Sequence, residues 1–164
     1  MAAGANAGAD RASRAGGDRC SLGRGTRLVI AFLDASALIY LLEGEPALAR
    51  RAHAELAALA QTHAGLRVAV SRLSWLACRV GPMKADDLAR LALFDAFFAR
   101  PDVVWLELSR EVVELAAAIR GRHGLRTPDA LQAACCLQLG PGHVLLTGDV
   151  AFGRVAGLNV RALA

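Results

Sequence analysis

Lysine is all but missing from this chain. Lys84 is the only one, so arginine supplies nearly all of the 19 basic residues among 164. Sites built on a lysine near a late strand are thereby excluded. The arginine forks that remain suit bidentate contacts to phosphate better than lysine does. Aromatic residues make up only 5% of the chain. The core must therefore rest on Ala, Leu and Val, and Ala and Leu favour helices. The four cysteines, Cys20, Cys78, Cys135 and Cys136, form no C-x-x-C pair. Together with His53, His63, His123 and His143, they show no zinc-ligand spacing. We read the thiols as reduced and mostly buried, as in a cytoplasmic protein. No apolar run reaches the roughly 18 residues of a membrane span, and no secretory h-region is present.

What is there is a 55% hydrophobic chain of single-domain length with a net charge of +4. That balance permits nucleic acid as a partner and equally permits ordinary solvated arginine. Residues 1–26 are Ala, Gly, Arg, Asp and Ser with almost nothing to bury, and we expect a disordered, dispensable leader there. The remaining 27–164 alternates strand and helix. Leu28 to Leu33 is a continuous apolar run, as in a strand buried on both faces. Helices are expected over 35–42 and 47–63, a strand over 66–70, and a helix from Arg72 that Gly81-Pro82 breaks near Val80. An amphipathic helix over 86–99 carries Phe94, Phe97 and Phe98, and a strand follows at 103–106. Ser109 caps a helix that Gly124 ends. Thr127 caps the next, with Pro128 at its first position. Strands at 144–147 and, weakly, 158–161 close the chain. This alternation predicts an α/β fold with a parallel sheet covered on both faces.

Three aspartates stand out against that frame. Asp34 ends the first strand, Asp149 follows the fourth, and Asp129 lies in the first turn of a helix. In a parallel sheet, strand C-termini and helix N-termini open onto one edge, where ligands bind. Carboxylates gathered there repel one another unless a hard cation such as Mg²⁺ or Mn²⁺ neutralises them. An acidic metal pocket on a basic protein points to phosphodiester chemistry. Each aspartate also has a plainer role: Asp34 as a helix cap, and Asp129 and Asp149 as anions at a helix start. Ser36 and Thr147 are placed to orient a carboxylate, or simply to make turns. Arg126 sits at the rim of such a pocket, where it could steer RNA. Arg72, Arg79, Trp75 and Trp105 read more simply as solvated helix face and as core or interface.

These motifs resemble the PIN (PilT N-terminus) domain family. Phe32-Leu33-Asp34-Ala35-Ser36-Ala37-Leu38 is similar to its opening motif, and Thr127-Pro128-Asp129-Ala130-Leu131-Gln132 to its third acidic motif. Leu146-Thr147-Gly148-Asp149-Val150-Ala151-Phe152 is similar to its last, T-x-D-x-x-F. The order is right and the likeness runs from Leu28 to the C-terminus. The compact size and the Leu42-Glu43-Gly44-Glu45 segment look most like VapC toxins. The resemblance implies a three-layer α/β/α fold around a mostly parallel sheet of four or five strands. It also implies a Mg²⁺- or Mn²⁺-dependent endoribonuclease with Asp34, Asp129 and Asp149 as metal ligands. The partners it implies are RNA, a second copy of the chain and a VapB-like antitoxin whose tail covers the acidic groove; the dimer surface is open, with the helix of Phe94, Phe97 and Phe98 a candidate.

One position departs from the pattern. The family places a Glu on the helix after the second strand, in a motif like S-x-L-T-x-x-E. Here Ser71-Arg72-Leu73-Ser74-Trp75-Leu76 is followed by Ala77. Alanine binds neither metal nor water, so we expect impaired nuclease activity. Two histories fit: a natural degenerate member, or a Glu changed to Ala to make a toxic protein tolerable. The alternative function is a catalytically inactive PIN-like module kept for antitoxin binding and autoregulation. Phosphotransfer of the haloacid-dehalogenase type would need a second Asp where Ser36 stands, and a lysine.

Overall fold

The computed structural model describes residues 28–164; the expected leader and Cys20 lie outside them. The first strand, β1 (Ile30–Leu33), leads into α1 (Ala35–Glu43), and Pro46 opens α2 (Pro46–Thr62). Next come β2 (Arg67–Ser71), α3 (Arg72–Lys84), α4 (Leu88–Phe98) and β3 (Val104–Leu106). The chain closes with α5 (Arg110–His123), α6 (Thr127–Leu137), β4 (His143–Thr147), a 3-10 turn (Val150–Arg154) and β5 (Val160–Ala162). Short polar side chains start most of these helices by accepting a hydrogen bond from a first-turn amide. Asp34 accepts from Ala37, Ser71 from Ser74, Asp87 from Arg90 and Ser109 from Val112. Gly124 ends α5 in the left-handed region at φ +66°, where a side chain would be strained.

The five strands form one sheet in the order β3-β2-β1-β4-β5, and every pairing is parallel. Two cores flank it. On one face Ala31 and Leu33 of β1 join Leu38, Ala52, Leu59, Cys78 and the α4 phenylalanines. On the other, Phe32 meets Val112, Ala116 and Ile119 of α5 and Ala133 and Cys136 of α6. Alternate residues of β1 thus serve opposite layers, which is why its sequence is apolar throughout. The sandwich of α1–α4, sheet and α5–α6 matches the expected three-layer fold. Among the described residues, no helix is long and apolar enough to cross a membrane.

Three expectations need correcting. Helix α3 is not broken at Gly81-Pro82; it runs to Lys84 with Pro82 buried inside it. Pro82 falls in the last turn, so the cost of its missing amide and ring clash is confined to the helix end. Thr127 is the first residue of α6 and not its cap. Arg126 holds the cap position without a side-chain cap bond, and the Thr127 hydroxyl instead accepts from Arg120. Phe94, Phe97 and Phe98 face inward at 8% exposure or less, with Phe98 packed 5.5 Å from Trp105 between ring centroids. These rings are spent on the chain's own core and offer no dimer surface.

Candidate active site

The sheet has its switch point beside β1. The chain steps outward from β1 to β2 to β3, then returns to place β4 on the other side of β1. Parallel strands leave a crevice where the order reverses, and ligands of open α/β sheets bind there. Asp34 follows β1 and Asp149 follows β4, one at each lip of that crevice. The first turn of α6 brings in Asp129, and α3 brings in Ala77. Asp34, Ala77, Asp129 and Asp149 all line one pocket of about 320 Å³, with Ser36, Arg126 and Gln132.

Asp34 is the most constrained member. It is 6% exposed. Its Oδ1 accepts from the Ser36 hydroxyl at 2.7 Å and the Ala37 amide at 2.8 Å, and its Oδ2 from the Thr147 hydroxyl at 2.6 Å. Burial pushes its carboxyl above the ordinary value; these three donors pull it down, and the charge of Asp129 pushes it up again. The two hydroxyls also tie the exit of β4 to that of β1. Ser36 Oγ accepts from the Gly148 amide at 2.7 Å and Thr147 Oγ1 from the Asp149 amide at 3.0 Å. Gly148 lets the chain pass close to Tyr40: a Cβ there would stand 2.7 Å from the Tyr40 ring and hydroxyl, so a side chain at 148 would require that ring to shift. Asp149 accepts from the Ala151 amide at 2.8 Å and so starts the 3-10 turn. Its capping role and its place at the pocket coexist.

Arg126 brings a positive charge to the pocket. Its Nε donates to Asp129 Oδ2 at 2.8 Å, and its Nη2 lies 3.8 Å from Asp149 Oδ2. The bond it donates to Asp129 holds the guanidinium still more firmly protonated than usual. Its side chain is nonetheless 78% exposed. Arg72 and Arg79 are engaged elsewhere. Arg72 pairs with Glu107 and lies 4.2 Å over Trp105; Arg79 pairs with Asp95 and lies 4.7 Å over Trp75.

Sequence reasoning missed Gln132. It is buried at 5% exposure and lies in the wall of the pocket. Its Oε1 accepts from Ser71 Oγ at 2.8 Å, its Nε2 donates to Ser74 Oγ at 2.9 Å, and Ser74 Oγ is 3.2 Å from the Leu33 carbonyl. This network fastens the start of α3 to α6 and β1. One local signal was available, since Gln132 lies three residues after Asp129 and so on the same helix face.

The donor set fits a hard divalent cation in kind. It offers carboxylate oxygens with spare lone pairs, and a cationic group already bridges two of them. Among the described residues, no three His, Cys, Asp or Glu side chains stand close enough to cage one ion. Mg²⁺ does not require such a cage, since it usually keeps several waters and takes one or two carboxylates. Ala77, where the family resemblance leads us to expect a Glu, is exposed and brings no carboxylate.

The sequence matches the PIN domain family over residues 31–158. No curated protein matches it significantly. Among solved structures, a toxin–antitoxin complex from Klebsiella pneumoniae is 26% identical, with a TM-score of 0.58 over 82% of this chain and 98% of that one. VapBC2 from Rickettsia felis, bound to a DNA fragment from its promoter, is 16% identical with a TM-score of 0.66 over the same shares. FitAcB from Neisseria gonorrhoeae is 21% identical, with a TM-score of 0.55 over 81% of this chain and 97% of that one.

Proposed function

The chain belongs to the PIN domain family, and from that premise we propose that it is the toxin of a type II toxin–antitoxin pair. Its active site is built for Mg²⁺- or Mn²⁺-dependent endoribonuclease chemistry and is impaired by Ala77. The observation that carries this reading is the shared pocket of Asp34, Asp129, Asp149 and Ala77 at the switch point. Nuclease activity and divalent-metal use are general in the family. The toxin–antitoxin complexes among the structural neighbours support the pairing with an antitoxin.

In this reading one or two of Asp34, Asp129 and Asp149 would bind the cation directly, and the rest would reach it through its waters. When bound, it supplies charge neutralisation and Lewis acidity at the scissile phosphate. The side chains do the rest. Ser36, Thr147 and the Ala37 amide fix the Asp34 carboxylate in one orientation, as supporting bonds do for metal ligands. A pocket carboxylate is within the site to accept the proton of the attacking water. Arg126 offers its fork to a backbone phosphate, a geometry that matches such oxyanions.

The same surface supports an antitoxin. Beside the acidic pocket, α3 exposes Trp75, Leu76, Val80 and Met83, and Leu76 also lines the pocket. An amphipathic segment carrying an arginine would satisfy both features at once. A homodimer is part of the proposal, on a surface other than the α4 rings.

Ala77 also favours a second reading, a catalytically silent module retained for antitoxin binding and autoregulation. The variant A77E separates the two. Ala77 is exposed, and Glu is a good helix former, so the substitution should fold. Losing a mere supporting contact to a metal ligand typically costs about 10–100-fold. The toxin reading therefore expects A77E to cleave RNA at least about tenfold faster than the chain with Ala77, with EDTA abolishing the gain. No gain in A77E leaves the silent module.

A further inference from the structure

We infer that Arg126 is the resident counter-ion of the pocket and competes with a divalent cation for Asp129 and Asp149. This rests on the reading of the pocket as a metal site. The guanidinium is bonded to Asp129 at 2.8 Å and lies 3.8 Å from Asp149, so it spans two of the three carboxylates from the chain's own backbone. Among the described residues little else holds the arginine there: its side chain is 78% exposed, and its one side-chain hydrogen bond and its one longer ion pair both go to the acids in question. Its backbone is fixed, because it occupies the cap position of α6, two residues before Pro128. The head can therefore swing away while the stem stays at the rim. A divalent ion entering between the acids would have to break this pairing and would then repel the fork. Arg126 would be released to face outward, where a phosphate of RNA can take it bidentately. The loss of an acid at Ala77 makes the competition more even, since the cation has fewer carboxylates to offset the arginine it displaces.

Binding of Mn²⁺ alone to the full chain tests this, read from the electron paramagnetic resonance signal of free Mn²⁺ and needing no activity. Breaking an exposed ion pair is worth up to about a fivefold change in an equilibrium. We expect R126Q to bind Mn²⁺ about fivefold more tightly than the native chain. R126K keeps the charge and should stay near the native affinity. The gap should narrow as salt is raised from roughly 20 mM to 500 mM, because screening weakens charge competition between exposed groups. Native chain and R126Q binding Mn²⁺ equally, or R126Q more weakly, overturns the competition while leaving the metal site standing. No Mn²⁺ binding by any of the three proteins overturns the metal site and the competition with it. Thermal melts in EDTA establish that each variant is folded. An R126A variant replaces R126Q should the latter fail that check.

Discussion

Replacing Asp34 by Asn and by Ala should move stability in opposite directions when no divalent ion is present. The carboxylate is 6% exposed, and burial raises it from the ordinary 3.8. Folding at neutral pH therefore works against a desolvated charge. Asn keeps the capping acceptor for the Ala37 amide at 2.8 Å, and it is as good a cap as Asp. It removes the charge, and the Thr147 hydroxyl can rotate to accept where it had donated. Ala removes the cap, worth about 1 kcal/mol. It also strips the fully buried Thr147 hydroxyl of its acceptor, worth about 1–3 kcal/mol. Relief of the buried charge offsets part of that loss. That relief is common to D34N, so we expect D34A to lie about 2–4 kcal/mol below D34N, which for a chain of this size is about 4–16 °C in Tm. In EDTA at pH 7, D34N should melt at or above the native protein. The pH dependence has a definite sign. A carboxyl raised by folding contributes most below its unfolded value of 3.8, and that contribution is lost as pH climbs through the raised folded value. The stability of native chain relative to D34N must therefore fall as pH rises across that window. Saturating Mn²⁺ should reverse the order, since an ion at a hundred times its Kd adds about 2.7 kcal/mol to the form that binds it. A D34N melt in EDTA that falls as far as D34A would refute the burial argument and leave Asp34 as a plain structural cap.

Two further predictions follow from the buried polar and thiol groups. Q132A should destabilise by about 1–3 kcal/mol, because Ser71 and Ser74, both fully buried, lose a partner at once; chemical denaturation would show it, and an unchanged midpoint would mean the hydroxyls re-pair locally. Burial pushes the Cys78 thiol up to about 12 and Cys135 to about 11, and raises Cys136 as well. These three thiols should resist an aromatic disulfide reagent at pH 8 until the chain is unfolded, and prompt reaction of Cys78 in the native state would contradict its enclosure.

How much of this was legible in the sequence depended on how local each signal was. Asp34, Asp129 and Asp149 could be read because each sits at a boundary between an apolar run and a helical turn, and parallel strands send all such boundaries to one edge. Strand order was not legible, because nothing local to β4 says that it pairs with β1 on the side away from β2. Gln132 stayed hidden because its partners Ser71 and Ser74 lie 61 and 58 positions away. The phenylalanines of α4 announced a face without saying which way it turned; only the packed sheet decides that Phe94, Phe97 and Phe98 point in. The Gly81-Pro82 pair misled for a physical reason. A proline disturbs the bond to the residue four positions back, and near a C-terminus few bonds remain beyond it to lose.

The charge balance of the pocket ties these readings together. A Glu at 77 would have made four acids against one arginine; with Ala77 there are three, and one of those, Asp34, is buried enough that its charge is disfavoured. Arg126 then answers a larger share of the negative charge that remains. In the proposed metal site, a cation would have to win Asp129 and Asp149 from the Arg126 side chain, with less attraction to repay the exchange. In the proposed metal site, the alanine at 77 and the pairing at 126 act on the same quantity, the affinity for a divalent ion, and their effects should couple. In A77E the added carboxylate should strengthen Mn²⁺ binding, and the further gain on adding R126Q should differ from its gain in the native background, as expected of neighbours that share partners. Strict additivity in that double-mutant cycle would show that the two residues act on separate sites.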